Sequence, residues 1–372
     1  MSTSSTLRPY ARSLVSVGEH DGSHRAAIRA GLTVLIPLLA VYALGHVEWS
    51  IYAAFGAFTA VYARHDGYRA RLRMQSAAAA VMVLSVTLGC LVALLPGREW
   101  AVVAVASVWA MVVARVSDVF RFGPPGPLFA VFGLCAVASV PATAWSLPIA
   151  VAVSAASALL ALAIGQAGRV RRRSAASGAP RPAAQPATVS STVSVPLSEP
   201  VSAPVSAPVR PPFRALHIVR YGIAAAVAGS LSTGLGIGHP YWAIVAAIVP
   251  LVAVELPHAL VRGTHRVLGT VIGLGVTWLL LLAGPTGLVA IVVVVALQML
   301  AELFILRNYG LALLFVTPLA LLMIDLVHPS DPSALIVDRG VETLLGTVVA
   351  LVVACASVLI SRKRFTSIGA RA

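Results

Sequence analysis

Seven arginines lie in or beside long apolar stretches of the sequence, where a permanent positive charge is costly. They are Arg29, Arg69, Arg73, Arg220, Arg262, Arg266 and Arg339. A guanidinium group binds a carboxylate through two parallel hydrogen bonds and keeps its proton at physiological pH. Burial near the middle of a bilayer costs ~2.5–3.5 kcal/mol on insertion scales, so an arginine inside an apolar helix is usually functional. We interpret these residues as candidates for binding an organic anion, the alternative being that they snorkel to the membrane surface.

Acidic side chains that could carry a proton are scarcer than the arginines. Proton coupling needs a carboxylate in an environment that disfavours its charged form. Three candidates lie in or at the ends of apolar runs: Glu255, Asp325 and Glu342. A structural role is the alternative for two of them, because Glu255 can pair with Arg262 or Arg266, and Glu342 with Arg339 at helical spacing. A fourth acid, Glu302, is interpreted as the structural partner of Arg307.

Two tryptophans and one threonine complete the candidate site. Trp49 and Trp242 each open an apolar run at the predicted outer interface, where an aromatic belt residue is common. Stacking against an aromatic substrate is the sharper interpretation of both. Thr317 precedes Pro318 inside an apolar run, and a proline there frees a backbone carbonyl that could line a transport site.

The elements that must position these residues are membrane helices. The chain has 372 residues, of which 59% are hydrophobic and only 11% charged, and its mean hydropathy is +0.91. The apolar residues fall into about twelve runs, each long enough to cross a hydrocarbon core as a helix. We therefore predict an all-α integral membrane protein with about twelve transmembrane helices, and we exclude a soluble enzyme. The short connections contain no catalytic triad, phosphate loop or metal-ligand spacing, so neither catalysis nor a cofactor nor a metal is predicted.

The positive charge is distributed on one side of the predicted membrane. The formal net charge is +14, which in a soluble protein would suggest nucleic acid. With a cytoplasmic N-terminus and twelve helices, every Lys and Arg except Arg98 and Arg339 lies on the cytoplasmic side. This asymmetry follows the positive-inside rule and predicts cytoplasmic termini in a multi-pass protein of the inner or plasma membrane, with lipid as its partner and no nucleic acid.

The chain divides into two membrane units and three connecting or terminal segments. The predicted ranges are a cytoplasmic N-terminal segment 1–25, a first six-helix unit 26–168, a disordered Pro/Ala/Ser cytoplasmic linker 169–214, a second six-helix unit 215–360 and a basic tail 361–372. The third helix is predicted to begin at Gln75 and the ninth at Arg266.

The two units are predicted to be repeats of each other. Nine of 25 positions are identical when Trp49 to Arg73 is aligned with Trp242 to Arg266. Six helices separate the copies, so both units face the same way, as in transporters with parallel repeats. Because Arg69 and Arg73 align with Arg262 and Arg266, we expect two arginine pairs placed symmetrically about the axis between the units.

Several stretches of the second unit resemble a known family. These are Pro240-Tyr-Trp-Ala243, the stretch from Arg262 through Arg266 to Gly273, the stretch from Asn308 to Pro318, and Asp338-Arg339 followed by Leu345-Gly-Thr347. In these motifs the chain resembles the FUSC family of integral membrane proteins, the fusaric acid resistance or aromatic acid exporter family. The resemblance is strong across 216–360 and weaker across 26–168.

The resemblance implies a membrane transporter that exports organic, chiefly aromatic, carboxylates, driven by the proton gradient. The family is also similar to plant malate transporters that form anion channels, so a passive organic-anion channel is the first alternative. A non-transporting membrane scaffold is the second. A homo-oligomer or a partner in the cell envelope is left open.

Overall fold

The computed structural model describes residues 13–18, 23–64, 66–178, 211–328 and 331–369. Those residues form helices and short connections, and no β-strand occurs among them. The longer helices are α1 (Ser23–Ala43), α3 (Tyr68–Ala93), α4 (Arg98–Phe120), α6 (Ser146–Gly178), α7 (Pro211–Gly234), α9 (Leu256–Ala283), α10 (Gly287–Phe304), α11 (Tyr309–Val327) and α12 (Pro332–Gly369). Three shorter helices are α2 (Ser50–Ala57), flanked by 3-10 turns, α5 (Leu128–Ser139) and α8 (Tyr241–Leu251).

Nine helices of the described part are long and apolar enough to cross a membrane. Their outward faces carry the apolar side chains that lipid requires. In α9, for example, Leu268, Val271, Ile272 and Leu279 are each more than half exposed and recur at the three- and four-residue spacing of one helix face. The prediction of an all-helical membrane protein is confirmed.

The other three helices are shorter than the sequence predicts. The 11 residues of α8 rise only about 16 Å, roughly half the thickness of a hydrocarbon core. Every residue of α8 and of α2 is buried, so their apolar composition reflects packing inside the bundle rather than contact with lipid. Pro250 lies in the last turn of α8 and Pro257 in the first turn of α9, and between them the chain turns before a full span is complete.

The helices pack in two sets with corresponding neighbours. In the first set α3 packs on α5 and α6, and α2 packs on α6; in the second set α9 packs on α11 and α12, and α8 packs on α12. Across the sets, α4 packs on α7 and α1 packs on α10. The first helix of each set thus packs on the fourth helix of the other set.

Two boundaries differ from the sequence prediction in ways that matter for the site. Helices α3 and α9 begin at Tyr68 and Leu256, so all four arginines of the predicted pairs lie within helices. The prediction had placed Arg69, Arg73 and Arg262 before the helices and Arg266 at a helix start. At the predicted linker, α6 continues to Gly178 and α7 begins at Pro211, so helix occupies both ends of that segment. Its central part, residues 179–210, lies outside the described residues. Helix α12 likewise continues into the predicted basic tail, to Gly369.

Candidate functional site

A cavity of about 670 Å³ lies between the two sets of helices. It is lined by the inner faces of the short helices α2, α5 and α8, together with faces of α9, α10, α11 and α12. Its aromatic lining consists of Phe55, Phe58, Phe129, Phe132, Trp242 and Tyr309. A cavity of this size with mostly apolar walls suits a small organic molecule.

Arg262 and Arg266 of α9 enter the cavity beside one aromatic ring. The Arg262 guanidinium lies 5.3 Å from the centroid of the Tyr309 ring, and Nη1 of Arg266 donates to the Tyr309 hydroxyl at 3.4 Å. Arg266 is only 3% exposed, and its Nε and Nη2 atoms have no hydrogen-bond partner among the described residues. A buried guanidinium with open donors is suited to receive an anion.

Arg339 of α12 enters the same cavity beside the other large ring. Its guanidinium lies 3.6 Å from the centroid of the Trp242 ring, a cation–π contact. Arg339 is 1% exposed, and its Nε and Nη1 atoms also have no partner in the described part of the chain. Trp242 is 1% exposed and packs against Phe132 at 5.2 Å between ring centroids.

The sequence interpretation missed Arg64, which forms a buried ion pair in the cavity. Nη2 of Arg64 lies 2.6 Å from Oε2 of Glu302, and the two side chains are 7% and 6% exposed. Arg29 donates to the carbonyl of Arg64 at 3.4 Å, and Gln298 donates to the Glu302 carboxylate at 3.4 Å. Glu302 therefore pairs with Arg64 rather than with Arg307 as predicted.

The charges on the cavity wall do not balance. Five arginines line it, namely Arg64, Arg262, Arg266, Arg307 and Arg339, against the two acids Asp66 and Glu302. The lining therefore carries an excess of three positive charges, in surroundings where water screens charge poorly. Such a cavity attracts anions and repels cations.

The structure separates the two predicted arginine pairs. Arg262 and Arg266 line the cavity, whereas Arg69 and Arg73 of α3 are exposed and do not line it. Arg73 lies over the Phe120 ring at 6.0 Å. The placement is not symmetric, because equivalent positions on α3 and α9 face different surroundings.

The predicted tryptophan pair is separated in the same way, and Thr317 packs elsewhere. Trp49 lies in the 3-10 turn before α2, stacked on His46 with ring centroids 3.9 Å apart, and it does not line the cavity. Thr317 is fully buried in α11 and packs against Gly273 of α9. A Cβ atom added at Gly273 would lie only 2.8 Å from the Cβ of Thr317. Thr317 is thus part of a close helix contact.

The three predicted proton carriers also lie outside the cavity lining. Glu255 is exposed and its carboxylate lies 3.3 Å from Nδ1 of the exposed His258, not beside Arg262 or Arg266. Glu342 is fully buried and accepts a hydrogen bond from the Ser232 hydroxyl at 2.8 Å, so the predicted pair with Arg339 is not the contact it makes. Asp325 is partly buried in the last turns of α11.

The N-terminal segment 13–18 lies across one end of the cavity. Asn308 donates to the carbonyls of Leu14 and Ser16 at 3.1 and 3.0 Å, and Nε2 of His265 hydrogen-bonds to the Leu14 carbonyl at 3.0 Å. The backbone amide of Gly18 donates to Arg307, whose Nε donates back to the Gly18 carbonyl, both at 3.0 Å. Because Ser13 and Ser16 themselves line the cavity, this segment covers its mouth.

Residues 223–353, from α7 to α12, match the model of a family described as fusaric acid resistance protein-like. The resemblance predicted from the sequence is confirmed. Trp242, Arg262, Arg266 and Arg339 fall within this match, and Arg64 lies outside it. A curated protein of Bacillus subtilis strain 168, the uncharacterized membrane protein YvaC, is 28% identical over 137 residues, which cover 37% of this chain and 22% of that protein. No solved structure matches the chain.

No metal centre is found in the described part of the chain. Groups of three or more His, Cys, Asp or Glu side chains that could hold a metal ion are absent from it.

We predict that breaking the buried ion pair destabilises the protein. Arg64→Gln or Glu302→Gln alone leaves one uncompensated buried charge, and removing one partner of such a pair typically costs ~3–5 kcal/mol. The double variant Arg64→Gln/Glu302→Gln should lose less than the two single losses added together. Unfolding of the purified proteins in detergent measures this, with Arg69→Gln as an exposed control. Additive losses would show that the two side chains do not interact.

We also predict that Asn308 holds the N-terminal segment over the cavity mouth. In a Cys355→Ser background, Leu14→Cys should react slowly with a maleimide, because the Leu14 side chain is half-buried and its carbonyl is held by Asn308 and His265. Cys90 and Cys135 are buried. Adding Asn308→Ala removes two donors to the segment and should raise the labelling rate several-fold. Asn308→Asp keeps the side-chain oxygen that accepts from the Leu311 amide but loses the N–H donors to the segment. It therefore tests the contact with the segment without removing the N-cap of α11. An unchanged rate in both variants would contradict the assignment.

Proposed function

We propose that this protein exports an organic anion, chiefly an aromatic carboxylate, across the cell membrane. The observation that carries the proposal is the aromatic cavity with two deeply buried arginines, Arg266 and Arg339, whose donors are open. The guanidinium groups supply the charge that a carboxylate needs in a low-dielectric passage, and the rings supply a stacking surface for an aromatic body. The family match supports transport.

We propose that the twelve helices form two parallel six-helix repeats with cytoplasmic termini. The corresponding contacts of the two sets support the repeat, and the distribution of Lys and Arg supports the orientation. In such a bundle the short helices α2, α5 and α8 do not cross the membrane on their own. Their flanking turns and the cavity occupy the rest of the membrane thickness.

The proposed orientation predicts the side of the membrane from which each of two loops is accessible to a reagent. Glu48→Cys, between α1 and α2, should react with an impermeant maleimide on intact cells. Asp66→Cys, between α2 and α3, should react only after the membrane is opened. The reverse pattern would overturn the proposed topology.

The charged residues that line the cavity indicate which force could drive export of the anion. Protonation of Glu302 would release Arg64 and add positive charge to the cavity, which strengthens anion binding. If that proton left together with a monoanion, no net charge would move and the inward proton gradient would oppose export, so we propose that the anion is exported without it. We therefore attribute the driving force to the electrical part of that gradient, because an interior-negative potential favours outward movement of an anion by ~2.3 kcal/mol per charge per 100 mV.

The proposal predicts saturable, potential-driven flux that depends on the buried arginines. Proteoliposomes should accumulate more labelled benzoate than protein-free vesicles when a potassium gradient with valinomycin makes the interior positive. A pH gradient alone should give no more accumulation than in protein-free vesicles, where benzoic acid crosses the lipid in its neutral form. Arg266→Gln and Arg339→Gln should each lower the rate at least tenfold, whereas the exposed control Arg73→Gln should not. Transient accumulation of label into vesicles preloaded with unlabelled benzoate identifies a carrier; its absence, with flux present, identifies a channel. No flux from folded protein would favour the scaffold.

A further inference from the structure

The open positive charges of the cavity lie in two places. Arg266 belongs to α9 and contacts Tyr309, while Arg339 belongs to α12 and contacts Trp242. Both side chains are at least 97% buried. A third cavity arginine, Arg64, is already neutralised by Glu302. Two deeply buried guanidinium groups on different helices, besides the half-buried Arg262, therefore have open donors for an anion.

The contacts between α9 and α12 set the levels at which the two side chains leave their helices. Gly263 of α9 faces Thr347 of α12, and Gly340 of α12 faces Leu274 of α9, so the two helices run antiparallel. Arg339 is adjacent to Gly340 and therefore lies near the level of Leu274, eight residues beyond Arg266. At a rise of 1.5 Å per residue the two attachment points differ in depth by about 12 Å.

A ligand with one negative charge leaves one of these arginines uncompensated. An unpaired buried charge is strongly unfavourable, and pairing with hydrogen bonds offsets that cost. No carboxylate forms a hydrogen bond or ion pair with Arg339 in the described part of the chain. The nearby Glu342 acts on Arg339 only through its charge and accepts its hydrogen bond from Ser232.

We propose that the preferred ligand is a dianion with two separate carboxylates at opposite ends of an aromatic body. One carboxylate binds Arg266 beside Tyr309, and the other binds Arg339 beside Trp242. The ring between them packs on the cavity wall, where Phe132 contacts Trp242. This inference rests on the proposed function and specifies its substrate class.

Ligand binding to the purified full-length protein in lipid nanodiscs tests the proposal. The probes are benzoate, the three benzenedicarboxylates and phenyl phosphate, measured by calorimetry. The 1,4-dicarboxylate should bind at least tenfold more tightly than benzoate and more tightly than the 1,2-isomer, whose two carboxylates are adjacent. The affinity ratio of 1,4-dicarboxylate to benzoate is the readout.

The arginine variants separate charge pairing from general damage to the cavity. Arg266→Gln and Arg339→Gln should each reduce the ratio to near one while benzoate still binds at the remaining arginine. Arg73→Gln, at an exposed position, should leave the ratio unchanged. If a glutamine variant does not fold, Arg339→Lys keeps the charge without the planar fork and should give an intermediate ratio.

The outcomes distinguish this inference from the proposed function. Equal affinity for benzoate and the 1,4-dicarboxylate would overturn the dianion and leave anion binding intact. Tightest binding of phenyl phosphate would also overturn it, in favour of one doubly charged group. If folded protein binds none of the probes, the proposed function falls together with the inference.

Discussion

Positive charge buried without a carboxylate partner is the constraint on which the rest of the site depends. Arg266 and Arg339 are removed from water almost completely, and an arginine cannot lose its proton to relieve the cost. The fold lowers that cost at Arg339 with the face of the Trp242 ring and at Arg266 with a hydrogen bond to the Tyr309 hydroxyl. The face of the Tyr309 ring lies against Arg262. A ring quadrupole attracts a guanidinium but leaves its hydrogen-bond donors open, so stability and anion binding are compatible.

The short buried helices make this arrangement possible. A helix that crosses the whole bilayer presents much of its surface to lipid, whereas α2 and α8 are buried along their entire length. Their ends therefore lie within the bundle, and polar residues near those ends reach the cavity. Trp242 near the start of α8 contacts Arg339, and Arg64 beyond the end of α2 contacts Glu302. Arg220 holds the end of α8 by donating to the carbonyls of Leu251 and Ala253.

The sequence could predict the class of the protein and part of its cavity, for identifiable reasons. Hydropathy indicates which segments form helices in contact with lipid. Arg266, Arg339 and Trp242 could be identified as candidate site residues, because an arginine or tryptophan is unusual in apolar surroundings. Arg64 was not, because it aligns with Pro257 in the repeat and the comparison favoured identical positions. Its partner Glu302 is 238 residues away, and pairing at that separation follows from packing of the two sets, which no local pattern encodes. Local spacing instead suggested Arg307, which donates to Gly18.

The same comparison shows that the two sets share packing but not charge. Equivalent positions carry Arg69 and Arg262, or Arg73 and Arg266, yet only the second member of each pair lines the cavity. Contacts between helices depend on small and apolar residues that both sets retain, whereas the direction of a long side chain depends on which neighbour leaves room for it. On the side of the first set, the charge of Arg64 is neutralised by Glu302 of the second set. The cavity therefore has one neutral wall and one positive wall, and an anion bound in it is held to the second set.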